Sequence, residues 1–283
     1  MELKGLIHNL FDTPRHVKGT RILLNIISIY FIYRFSTETT HLNFIYSTGI
    51  DFKPGYATLA MVTTLVCSIL IILGRFINIA LLLNLISFWY LSDTSISGDG
   101  GDNILRIVLV YLVFVHPKTM SGEIKPGFRV FLHNAAIYAV ILQVMILYFV
   151  AGSVKMQGSD WYQGTAMYYV LSTNEFGPGS QFVRELFKNP WVSSTISHIT
   201  MIYQIGFPFM IHNRYHLVWA LMGVFFHIGI GATMGLFTFS LVMTGLILFT
   251  INDQEWNRVY AMLGGLRKFL PKRRRNTAIE GIS

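Results

Sequence analysis

The sequence predicts an all-α protein, a polytopic transmembrane helical bundle of about eight spans with interfacial amphipathic helices at both ends. Three observations carry that expectation. Hydrophobic residues make up 53% of the 283 and charged residues only 13%, about half the charge of a soluble domain. Mean hydropathy is +0.50. Apolar runs recur at 21–35, 58–74, 76–91, 104–116, 133–154, 194–211, 216–230 and 232–251.

Each run has its own punctuation. The second and third are split only by Gly74-Arg75, and the last two by Gly229-Ile230-Gly231. The fourth is short and contains Arg106. The fifth, from Ala135 to Val154, is about 20 residues, or roughly 30 Å of helix, enough to cross a bilayer. The first run starts at Ile22 without a small-residue cleavage site after it, so it reads as a first span rather than a signal peptide. Leu3, Leu6, Ile7, Leu10 and Phe11 follow helical spacing, as do Trp256, Val259, Tyr260 and Leu263. Both sets read as helices lying on the membrane surface.

Charge sets the sidedness. With both termini cytoplasmic, about 16 of the 22 Lys and Arg residues fall on the inner side with 6 acidic residues, against 5 basic and 8 acidic outside. The net charge of +8 is therefore a membrane-orientation signal. The Lys-Arg-Arg-Arg run at 272–275 anchors to anionic lipid, and no nucleic-acid partner is expected. The lone Cys67 allows no internal disulfide.

The outer loop from Lys155 to Ser193 is the longest hydrophilic stretch and is expected to hold short helices, one over Ser180 to Phe187 after a turn at Gly177-Pro178-Gly179. Lys155 stands where the fifth span meets this loop. A lysine there snorkels, pairs, or loses its proton through desolvation and becomes a base. His227 is a bare imidazole in an apolar span, followed by Gly229, Gly231 and Gly235. It either packs against a neighbouring helix or serves the site. Asp99 and Asp102 lie in a glycine-rich turn. Asp102 suits the start of the fourth span, or pairs with Arg106 one turn on. Asp160 and Trp161, then Gly164-Thr165-Ala166, open a re-entrant or interfacial helix. Trp161, Tyr162, Tyr168 and Tyr169 form an aromatic belt or wall a pocket for a flat ligand. His116, His133, His198, His212 and His216 show no metal-ligand spacing.

Tyr-Phe-Val-Ala-Gly-Ser-Val-Lys at 148–155, followed by Asp160-Trp161 and Gly164, resembles the catalytic-lysine segment of vitamin K-dependent gamma-glutamyl carboxylase. Residues 225–243, with Phe226-His227, Met234, Phe239, Ser240 and Met243, resemble a second segment of that enzyme. Together these are marks of the horizontally transferred transmembrane (HTTM) domain. The resemblance implies one membrane domain over 1–283: an interfacial helix at 1–20, the bundle at 21–251 with outer loop 155–193, and an inner helix and basic tail at 252–283. It implies catalytic roles for Lys155 as base and for His227. It implies a substrate or cofactor pocket of Asp102, Asp160, Trp161, Tyr162, Gly164, Tyr168, Tyr169 and Met234. A reduced quinone, vitamin K hydroquinone or menaquinol, is the cofactor it implies.

The departures are specific. The animal carboxylase carries a large extra domain, whereas this sequence ends soon after the eighth run. Gly-Gly-Asp at Asp102 stands where that enzyme has an important histidine, and one extra residue separates Lys155 from Trp161. The family disulfide is impossible with one cysteine. The Trp161-x-x-Gly164-Thr165-Ala166-x-Tyr168-Tyr169 run is most similar to a bacterial SdpB-like branch. That branch implies a cell-membrane protein that matures a secreted antimicrobial peptide toxin with a small accessory protein, through carboxylase-like or quinol-dependent chemistry. A non-enzymatic membrane chaperone, immunity or export partner for an apolar peptide stands beside it.

Overall fold

The computed structural model describes residues 10–38, 53–95, 98–120, 124–173 and 181–267. They form helices and turns without strands. Each of the eight apolar runs carries one long helix: α1 Val17–Glu38, α2 Pro54–Ile72, α3 Ile77–Thr94, α4 Gly100–Leu112, α5 Phe128–Gln157, α9 Pro190–Met210, α10 His216–Met234 and α11 Phe237–Thr250. Three short helices, α6 Ser159–Tyr162, α7 Ala166–Ser172 and α8 Gln181–Phe187, occupy the outer connection, and α12 Asp253–Arg267 follows the bundle. Three helices among the described residues, α2, α5 and α10, are long and apolar enough to cross a membrane. Apolar side chains stand exposed along their flanks, as Leu59, Val62, Val66 and Ile69 do on α2. Such a stripe suits a lipid-facing surface rather than water.

Local chemistry sets the boundaries. The side chain of Asp99 accepts from the backbone N–H groups of Gly101 (2.7 Å) and Asp102 (3.1 Å), while Asp102 returns a bond to Asp99 N–H at 2.9 Å. This reciprocal cap starts α4. Its far end is closed by the Asn78 amide, which donates to the carbonyls of Val113 and Val115 at 2.7 and 2.8 Å. α4 therefore stops at Leu112 rather than at 116. The break between the last two long helices also differs from expectation. It falls at Gly235, whose φ of +72° ends α10 in the left-handed region. Gly229 and Gly231 stay helical, and Gly231 makes room for Ser240 on α11.

α11 sits at the centre, packed on α1, α4 and α10, while α5 packs mainly along α9. The α1–α11 crossing is close. A Cβ on Gly19 would fall 2.6 Å from the Phe249 carbonyl oxygen, and one on Gly245 would fall 2.9 Å from Ile26. Helix association in lipid relies on such backbone approach, because lipid removes the hydrophobic drive.

The end holding α12 is fastened by polar contacts. Asp253 accepts from Val17 N–H at 3.0 Å and from Lys18 N–H at 2.8 Å, capping α1 from across the chain. His216 meets the Glu255 carboxylate at 3.0 Å and Thr250 at 3.1 Å. Trp256 is buried while Tyr260, Met262 and Leu263 face outward, so α12 has the two-faced character expected of a surface helix. Of the N-terminal amphipathic set, Leu10 and Phe11 are described. Phe11 stacks on Phe131 with ring centroids 4.9 Å apart. Leu3, Leu6, Ile7, the Gly177-Pro178-Gly179 turn and the Lys272–Arg275 tail lie outside the described residues.

Candidate functional site

Lys155 lies in the last turn of α5, half-buried. The helix ends where Gly158 turns extended and donates back to the Lys155 carbonyl at 3.0 Å. The single turn of α6 then lays the Trp161 indole under the ammonium. Lys155 Nζ is 5.1 Å from that ring centroid, within cation–π range. Among the described residues the ammonium has no carboxylate partner. Asp160 is exposed, and its backbone carbonyl closes the turn by accepting from Thr165 N–H at 2.8 Å.

α7 begins immediately beyond. Its free N–H groups are satisfied by hydroxyls of α9: Ser193 Oγ accepts from Tyr168 at 3.1 Å and Ser197 Oγ from Met167 at 3.3 Å. Ser193 Oγ also donates to the Gly164 carbonyl at 3.0 Å. Gly164 is obligatory here, since its φ is +77° and a Cβ would fall 2.5 Å from Ser194 Oγ. These contacts form an open groove of about 820 Å³, walled by Tyr168, Tyr169, Phe187 and Trp191 and bordered by Lys188. The Tyr168 and Tyr169 rings meet edge-on at 5.3 Å. Hydrogen bonding to Glu185 at 2.6 Å raises the pKa of the Lys188 ammonium. Tyr162 is 75% exposed and does not line the groove.

His227 sits deep in α10, 2% exposed. Its Nε2 shares a hydrogen bond of 2.6 Å with the Tyr148 hydroxyl on α5. The rings of Phe226 and Phe239 flank it at 5.1 and 5.7 Å. Its Nδ1 is buried without a partner among the described residues, as are Gln204 Oε1 on α9 and Ser240 Oγ on α11. Tyr148 precedes Lys155 by seven residues, about 10 Å of rise on nearly the same helix face. Lys155 and His227 therefore occupy different depths. Met234, half-buried, ends α10.

Asp102 is 2% exposed and pairs with Arg34 of α1, which is 4% exposed. The Tyr30 hydroxyl donates to the same carboxylate, and Arg34 also reaches Tyr30 at 2.5 Å and Glu38 at 2.9 Å. Arg106, the neighbour expected to hold Asp102, instead bonds Asp93 at 2.9 Å and Asn103 at 2.5 Å. A helical turn does separate Asp102 from Arg106, but Asp102 faces the bundle interior and Arg106 its rim. Asp99 extends the network to α11 by accepting from Thr238 at 2.8 Å.

Residues 130–256 match the model of the HTTM domain. The HTTM segment runs from the first turn of α5 into α12. It contains Lys155, the groove, Tyr148 and His227, whereas Arg34 and Asp102 precede it. The chain is also 24% identical over 178 residues to "Uncharacterized protein YitO" of Bacillus subtilis (strain 168). That alignment covers 56% of this chain and 57% of YitO, so the chain spans a little over half the length of this relative. No solved structure matches. The HTTM match covers a little under half of the chain, and with the apolar helices it points to a membrane protein that carries an HTTM-like segment.

The predicted residues thus divide. Lys155 joins Trp161, and Gly164 joins Tyr168 and Tyr169 in the groove. Asp102 belongs to the Arg34 network and His227 to the Tyr148 pair. Arg34, Tyr30, Tyr148 and Trp191 were not singled out by sequence. The signal available for the first two was the Tyr30, Arg34, Glu38 spacing of four, which stacks three polar groups on one face of an apolar helix.

Proposed function

We propose that the chain crosses a bacterial cell membrane eight times with both termini cytoplasmic, and that its outer face matures a secreted antimicrobial peptide toxin with Lys155 as general base. The charge bias between alternate connections supports the sidedness. The observation that carries the chemistry is the setting of Lys155: half-buried, without an acidic partner among the described residues, and at the helix end from which the chain runs through Trp161 into the groove-lining Gln163 and Gly164. An amine that sheds water and gains no carboxylate is suited to taking up a proton. Arg34 is not, because a guanidinium stays charged and this one is already paired.

The HTTM likeness suggests a reduced quinone, such as vitamin K hydroquinone or menaquinol, as cofactor. The flat walls of Tyr168, Tyr169 and Trp191 fit such a ring. When bound, the quinol would be oxidised with dioxygen as the electron acceptor, and that oxidation would supply the basicity a carboxylase-like modification needs to remove a carbon-bound proton. Lys155 does not line the groove itself, so its part is to hold and move a proton at Nζ, with substrate reaching it over the Trp161 turn. Within the SdpB-like branch the partners would be the toxin precursor and a small accessory protein.

The Trp161 contact favours a second reading. An indole face stabilises an ammonium ion, which suits a Lys155 that only neutralises the carboxylate of a bound apolar peptide. The protein is then a chaperone, immunity or export partner. Mass spectrometry of the peptide made with wild type, Lys155→Ala and Lys155→Arg separates the two. A mass shift lost in both variants supports the base. No mass shift, with activity kept by Lys155→Arg and lost in Lys155→Ala, supports binding. Normal toxin activity from Lys155→Ala at wild-type membrane levels overturns both.

A further inference from the structure

At the opposite end of the bundle lies a second cavity, of about 510 Å³. Arg15 and His16 line it from the segment before α1, Tyr138 and Ile141 from α5, and Ile211 and His212 from the end of α9. The Arg15 backbone is pinned on both sides. Its N–H donates to Asn134 Oδ1 at 2.9 Å, and its carbonyl meets His133 Nε2 at 2.9 Å. Both partners are fully buried on α5.

The Arg15 side chain has no such ties. Its guanidinium stands 6.0 Å from the Tyr138 ring centroid, and its Nε is buried without a hydrogen-bond partner among the described residues. Among the described residues the one carboxylate in the cavity wall, Asp253, has its two oxygens committed to the N–H groups of Val17 and Lys18. The half-buried Arg15, with a buried Nε donor, therefore faces a cavity whose described acid is already engaged.

We propose that this cavity binds a phosphate oxyanion, the headgroup of an anionic phospholipid, with Arg15 as its principal ligand. The planar guanidinium offers parallel donors to two phosphate oxygens. The apolar flank of Tyr138, Ile141 and Ile211 lies where an acyl chain would run. Burial holds the pKa of His16 below its ordinary value, and His16 Nδ1 engages the Phe249 carbonyl at 3.2 Å, so Arg15 is the standing positive charge. His212 supplies a further hydrogen-bonding ring. The charge bias puts this end at the cytoplasmic leaflet, where basic pockets between helices take anionic headgroups. The site is independent of Lys155.

The test is the thermal unfolding midpoint of the full-length protein in detergent, with added phosphatidylglycerol, phosphatidylcholine or inorganic phosphate. Phosphatidylglycerol should raise the midpoint by several degrees and phosphatidylcholine should not. Arg15→Gln should remove most of that rise. The quadruple variant Lys272→Gln, Arg273→Gln, Arg274→Gln and Arg275→Gln should keep it, which separates the cavity from the basic tail. An equal Arg15-dependent rise with inorganic phosphate supports the site and makes a free anion its ligand. If Arg15→Gln does not fold, Arg15→Lys serves: it keeps the charge, loses the fork and should need several-fold more lipid. A rise that neither Arg15 variant changes, or no rise with either phosphate source, overturns the proposal.

Discussion

Arg34 and Lys155 are both cations at the lip of an apolar helix, and their surroundings are opposite. Arg34 is enclosed by Asp102, Tyr30 and Glu38. The Asp102 carboxylate receives Arg34 and Tyr30 on one oxygen and the Asp99 backbone on the other. Lys155 has an indole face and no counter-ion among the described residues. A buried charge that is fully matched joins helices, here α1 to α4, and has no capacity left for a ligand. A charge left unmatched at a cleft is one the fold tolerates for another reason.

Breaking the matched side should cost most. Asp102→Ala strands the Arg34 guanidinium and should lose roughly 3–5 kcal/mol, read as a fall in the unfolding midpoint and in membrane yield. Replacing both partners, Arg34→Met with Asp102→Leu, should recover most of the loss. An undisturbed Asp102→Ala variant would erase the contrast with Lys155. Tyr148→Phe comes next. It removes the bond to His227, whose other nitrogen lacks a partner among the described residues, and should cost about 1–3 kcal/mol by denaturant titration.

Acid should act at the inner end and less strongly. Burial holds His16 below its ordinary 6.5, so its contribution is complete above that value and fades as pH falls through it. For Glu255, burial opposes ionisation, but the hydrogen bonds from His216 and the Asn252 backbone outweigh it and hold the carboxyl below 4.5. Its contribution is intact above 4.5 and disappears as pH drops further. Protection of α12 against hydrogen exchange, corrected for the intrinsic pH dependence of the amide rate, should therefore fall from about pH 6.5 downward and again below about pH 4.5, with α2 and α3 unchanged. The smallest effect belongs to Lys155→Ala, which should alter stability by no more than about 0.5 kcal/mol and leave expression intact. A large stability loss there would make Lys155 a second Arg34.

What could be read from sequence follows from the range of the interactions. All eight apolar runs became helices because each is a local pattern, and α8 and α12 were legible for the same reason. The place of Lys155 at a helix end beside the outer connection was also local information. The partner of Asp102 was not. Spacing pointed to Arg106, four residues on, while the bundle supplied Arg34, 68 residues away. Tyr148 and His227 are 79 residues apart and meet only because α5 and α10 both approach α9 and α11. Lys155 and the Tyr148–His227 pair lie at different depths for one further reason. Seven residues keep two side chains on one helix face but place them about 10 Å apart in depth.

The capping of α1 by Asp253 has a consequence for the order of assembly. α1 has its opening N–H groups satisfied by a residue synthesised more than 230 positions later. Until that acid is synthesised, those groups must rest on water or lipid headgroups. The entry to α1 is therefore fixed only after the helices that follow it have been made. Shortening the chain before residue 253 should leave α1 inserted but its entry turn loose, a fault that would propagate to the Arg15 cavity and spare the outer groove.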